Sequence, residues 1–138
     1  SIGEGNYTRP QGEIVWFEKQ ISSNTYNATS NSDINSTVLN LEADSNGVIP
    51  KGAKAIGLHT YVKDSASAAG GTKLLFSGVT GQWQYANDVS GIANDIQSRV
   101  GGWSSCDANG DVYISVEEAS GSATFDIDGL KYTAVELR

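Results

Sequence analysis

The residues best spaced for chemistry lie in Asp107-Ala108-Asn109-Gly110-Asp111-Val112-Tyr113-Ile114-Ser115-Val116-Glu117-Glu118. Counted from Asp107, oxygen-bearing side chains stand at positions one, three, five and twelve, the pattern of a calcium-binding EF-hand loop. Position six opposes the match. It holds Val112, where the loop needs the positive φ that glycine tolerates and a β-branched residue resists. The flanks, Gly101-Gly102-Trp103 before and Ala119-Ser120-Gly121 after, cannot build the two helices. The segment reads as a polar turn, with Asp107, Asn109 and Asp111 left as the one set that could meet calcium by another geometry. No metal site is assigned.

Other chemistry is scarcer still. His59 is the sole histidine and Cys106 the sole cysteine, which excludes an internal disulfide and a Cys-rich zinc site. Asp107 beside Cys106 discourages a thiolate. Glu117 and Glu118 point to opposite faces of a strand, so they cannot flank one glycosidic bond. Gly70-Gly71 and Gly101-Gly102 lack the strand–loop–helix setting and the lysine of a phosphate loop. No catalytic residue and no cofactor is expected, and the chain reads as a non-enzyme. The remaining candidates are aromatics that strand alternation could expose: Tyr61, Trp83, Tyr85 and Tyr113. Such rings stack on sugars or anchor protein interfaces.

The elements that would position them are β-strands. The sequence has 138 residues, room for one domain, with 16 glycines, two prolines and no methionine. Residues 1–12 carry no period and read as an N-terminal arm; residues 13–138 read as one domain. Glu13 to Gln20 is a short strand apolar on both faces. A Ser/Asn-rich loop spans 21–36, and Thr37 to Glu42 alternates. After the turn at Ser45-Asn46-Gly47, Ala53 to Lys63 is the longest strand, with Ile56, Leu58 and Val62 on one face and Ala55, His59 and Tyr61 on the other. Thr72 to Ser77 and Gln82 to Tyr85 follow. Val89, Ile92, Ala93, Ile96 and Val100 have helical spacing, so at most one short helix is expected, over about 88–100.

Two hairpins are expected near the C-terminus. One turns at Asp128-Gly129, facing Ile127 to Leu130 and Phe125 to Tyr132. The other joins 98–105 to 111–118 and puts Trp103 in the core. The fold class is therefore all-β: an antiparallel β-sandwich of about eight strands, of jelly-roll type.

Charge narrows the partners. Nine basic against sixteen acidic side chains give −7, which opposes binding a nucleic-acid backbone. No apolar run suits membrane insertion. A start at Ser1, a residue that permits removal of an initiator methionine, fits a complete small gene product.

The stretch Ile49-Pro50-Lys51-Gly52-Ala53-Lys54-Ala55 leading into a long strand, the Ser/Ala/Gly loop after it, and Phe125-Asp126-Ile127-Asp128-Gly129 with Tyr132-Thr133-Ala134-Val135-Glu136-Leu137 resemble small β-sandwich modules of tailed-bacteriophage virions: capsid-decorating, head-fibre and tail-fibre proteins. The likeness covers about residues 47–138. It implies a structural role on a virion surface, with major capsid or fibre proteins as partners, self-association into a homo-oligomer, and residues 1–20 making particle contacts. The alternative is a module binding carbohydrate or a host receptor through the exposed aromatics, on a tail fibre or an extracellular adhesin.

Overall fold

The computed structural model describes residues 12–27, 29–31, 34–64, 72–80, 87–92, 97–117 and 125–138. Its strands are β1 (Ile14–Ser22), β2 (Thr29–Asn31), β3 (Ile34–Asn40), β4 (Ala55–Asp64), β5 (Thr72–Ser77), β6 (Asn87–Ile92), β7 (Ser98–Ser105), β8 (Asp111–Glu117) and β9 (Phe125–Glu136). A single turn of helix, α1 (Leu41–Asp44), follows β3.

The strands form two antiparallel sheets. One has the order β1-β9-β4-β7, with β2 also on β9; the other has the order β3-β8-β5-β6. The pairs β5–β6, β4–β7, β3–β8 and β1–β9 nest around the β5–β6 connection like one long hairpin. Rolling that hairpin brings β4 against β9 and β5 against β8. This is the jelly roll that the strand spacing led us to expect, and it is an all-β sandwich.

The core lies between the sheets. Ile56, Leu58 and Val62 of β4 are buried with Leu74 and Phe76 of β5, Val112, Ile114 and Val116 of β8, and Phe125, Ile127, Leu130 and Tyr132 of β9. Ala55, His59 and Tyr61 take the opposite face of β4, as the alternation requires. At about 1.5–3 kcal/mol per fully buried large apolar side chain, this interior dominates the stability.

Asp128-Gly129 does not turn a hairpin: β9 runs straight through it and pairs with β4 along its length, with shifts of register between His59 and Tyr61 and between Gly57 and Leu58. Gly129 has φ +64, so the pair's tolerance of positive φ serves a β-bulge. A bulge flips the alternation just as a turn does. Hence Phe125, Ile127, Leu130 and Tyr132 still share the buried face. Asp126 of β9 lies 3.9 Å from Lys63 of β4.

The hairpin expected between 98–105 and 111–118 is also absent. β7 pairs with β4 and β8 with β3 and β5, so the turn between them crosses from one sheet to the other. Trp103 is consequently on the outer face and 37% exposed, not in the core.

The one short helix allowed for over about 88–100 does not form in the described part of that stretch: β6 pairs with β5 from Thr72↔Ile92 to Phe76↔Asn87, and β7 starts at Ser98. Gly91 and the β-branched Val89 and Ile92 make a poor helix, and strand pairing satisfies the backbone instead. The loop expected over 21–36 contains the end of β1, β2 and the start of β3. Its Ser and Thr residues sit in strands because β8 and β9 supply the hydrogen-bonding edges. Finally, β3 ends one residue before α1, where the Asn40 side chain accepts a hydrogen bond from the Ala43 N–H at 3.1 Å. That capping stops the strand expected to reach Glu42.

Candidate functional site

The four candidate aromatics do not form one cluster. Trp83 and Tyr85 lie outside the described residues. Tyr61 projects from the outer face of the β1-β9-β4-β7 sheet, whereas Tyr113 projects from β8 in the other sheet.

Tyr113 is engaged by the turn that carries the calcium-like motif. Its hydroxyl donates to Asp107 Oδ2 at 2.8 Å, while Asp107 Oδ1 accepts from the N–H groups of Asn109 and Asp111, both at 2.9 Å. Burial raises the Asp107 pKa, but the hydrogen bonds from Asp111, Tyr113 and Asn109 outweigh it and hold the carboxyl below its ordinary value. The same contact raises the Tyr113 pKa. Both oxygens of Asp107 therefore serve to fold the turn. Val112, at the sixth position of the motif, is fully buried in β8. Among the described residues no group of three or more His, Cys, Asp or Glu side chains converges on a point.

A shallow depression of about 580 Å³ beside this turn is lined by Asn40, Lys51, Gly52, Ala108, Asn109 and Asp111, with no nucleophile–base pair among them. Burial, and then the nearby Asp107, push the Cys106 thiol up to about 12, which disfavours the nucleophilic thiolate.

The outer face of the β1-β9-β4-β7 sheet is built differently. Trp16, Ala134, Gly57 and Trp103 lie in one row across its four strands. Strands about 4.8 Å apart put β1 and β7 roughly 14 Å from each other. Yet the two indoles meet edge to face, with ring centroids 5.8 Å apart and planes at 83°. They lean together over the two smallest residues of the row. That cover explains why Ala134 is fully buried although it belongs to the outer face and not to the interior cluster. Trp16 remains 68% exposed.

The next row runs Ser22, Lys131, His59, Gly101. Between Trp16 and Ile21 the register of β1 slips, leaving four residues of β1 against one of β9. The bulged Gln20 reaches past β9, and its Oε1 lies 3.1 Å from Nε2 of His59. Burial, then the charges of Lys131 and Arg99, lower the His59 pKa. One row further, Arg99 donates from Nη2 to the Tyr61 hydroxyl at 2.8 Å and lies 4.7 Å from the centre of its ring.

Sequence reasoning found Tyr61 here and missed Trp16 and Trp103. Trp16 belongs to a run, Ile14-Val15-Trp16-Phe17, that reads as apolar on both faces. In fact Ile14 is 50% and Val15 37% exposed, because β1 is an edge strand. Two readable signals mark the platform: the tryptophans themselves and the glycines at 57, 101 and 102. Comparison with protein-family models, curated proteins and solved structures returns no match to this chain.

Proposed function

We propose that the protein is a non-enzymatic structural component of a bacteriophage virion, a capsid-surface decoration or head-fibre protein, seated on its particle through β1. The observation that carries this reading is the apolar edge that the sheet presents at β1 among the described residues. β1 pairs on one side with β9, and no described strand lies on its other side. Its first residues, Ile14, Val15 and Trp16, are all exposed. An edge strand offers a row of backbone donors and acceptors to another chain, and folded proteins usually protect such edges with charge or proline. From Ile14 to Phe17 this edge has neither. It suits strand addition by a neighbouring virion protein, with backbone hydrogen bonds giving affinity and the apolar side chains filling its pockets. The net charge of −7 keeps such a protein off packaged or released DNA.

The test is co-purification. Particles from cells producing the chain, banded in a density gradient and washed in high salt, should retain it at a fixed ratio to the major capsid or fibre protein. A chain found only in the unbanded fraction would overturn the assignment.

A further inference from the structure

We propose that the outer face of the β1-β9-β4-β7 sheet is a binding site for an acidic glycan, with a sugar ring stacked on the Trp16–Trp103 pair and its carboxylate held by Lys131 and Arg99. Carbohydrate is the ligand class raised by the aromatics of the sequence; the geometry moves the platform to rings that sequence reasoning set aside. The site is on the face of the sheet and the proposed particle contact is on its edge, so either can hold without the other.

Three features point to this ligand. A pyranose has an apolar C–H face and a rim of hydroxyls, so its receptor combines an exposed ring with polar side chains at the ring's margin. Here Trp16 is 68% and Trp103 37% exposed, and His59, joined to Gln20 at 3.1 Å, stands in the adjoining row. The floor is low: Gly101 lies opposite His59, and Gly57 between the tryptophans. A side chain at Gly101 would have its Cβ 3.2 Å from the Cβ of His59.

The third feature is charge. The protein carries −7, yet the charged groups that act on His59 are both cations, Lys131 and Arg99. Among the described residues the ion pairs are Lys54–Glu136 and Lys63–Asp126, which leaves Lys131 and Arg99 without a carboxylate partner. Asp128 shares the Tyr61 row, and it forms no ion pair with either cation among the described residues. Two such cations beside exposed rings favour a sugar bearing a carboxylate over a neutral one.

The experiment is affinity electrophoresis of the full-length chain in native gels containing polygalacturonate, alginate, hyaluronan, polysialic acid or neutral dextran. A protein of charge −7 is repelled by polyanions as a whole, so retardation by one reports a local site. The expected result is retardation by at least one acidic polymer and none by dextran. Trp103→Ala should weaken it about tenfold or more, as for a central aromatic anchor. Lys131→Gln should weaken it too, with both variants melting cooperatively like the wild type. Four results would overturn the proposal: no retardation by any polymer, equal retardation by dextran, wild-type retardation of the Trp16→Ala/Trp103→Ala double variant, or a dimer in light scattering that this double variant dissociates. The last would assign the face to a second copy of the chain.

Discussion

The hydroxyl of Tyr132, fully buried in β9, donates a 2.5 Å hydrogen bond to Oδ2 of Asp44 in α1, a contact spanning 88 positions of sequence. The other oxygen of Asp44 accepts from Thr25 Oγ1 at 2.5 Å, and its backbone carbonyl accepts from the Asn24 N–H and side-chain amide. This buried carboxyl thus anchors the segment after β1 and fixes where that edge strand ends. Burial, and then the contact with Asp44, push the Tyr132 pKa far above its ordinary value.

Tyr132→Phe keeps the ring and removes the donor. A buried polar group that loses one partner costs about 1–3 kcal/mol. Urea unfolding should show that loss with an unchanged m-value, and Tyr132→Leu should cost more because the ring volume goes as well.

The tryptophan row predicts a steric effect. A Cβ at Gly57 would lie 2.8 Å from Thr133 Oγ1 and 3.6 Å from the Cβ of Ala134. Gly57→Val should therefore destabilise by about 1–3 kcal/mol, the usual range for overpacking. It should also part the two indoles, seen as loss of their exciton signal in circular dichroism. Gly47→Ala, at a turn with open space but φ +82, should leave that signal intact.

The turn at Asp107 needs no metal in this account, since both carboxyl oxygens already accept hydrogen bonds. Millimolar calcium and excess chelator should give the same melting temperature. A rise with calcium would mean that the carboxylate leaves the turn to bind the ion.

His59 supplies a pH dependence with a definite sign. Its folded pKa is lowered, first by burial and then by Lys131 and Arg99. Below the unfolded value of 6.5 the unfolded chain binds the extra proton more readily, so stability falls as pH falls. The contribution is fully present above pH 6.5 and is lost as pH drops through the lower folded value. His59→Gln should flatten the stability profile just below pH 6.5 and leave the region above pH 7 unchanged.

The sandwich was legible in the sequence because its strands alternate. Ile56, Leu58 and Val62 of β4 fall on the buried face by parity alone. Pairing was less legible. A phase change at Asp128-Gly129 is the same string of residues whether the chain reverses or bulges, and only β4 lying alongside decides for the bulge. The platform was hidden for a related reason. An exposed tryptophan and a core tryptophan look alike until the strand's neighbours are known. Trp103 falls in the core only if β8 is its partner, whereas its partner is β4. Position in the sheet likewise made Ile14 and Val15 surface residues, since nothing in their own run distinguishes an edge strand from a central one.

The central claim is that β1 is the seat of the protein on a particle, and amide hydrogen exchange tests it most directly. The chain would be labelled free in solution and bound to purified particles, quenched and mapped by mass spectrometry. Peptides covering Ile14 to Ser22 should become strongly protected on the particle, while those covering β5 and β8, already paired on both sides, should not change. Equal exchange of β1 in the two states, with the chain demonstrably bound, would contradict the account.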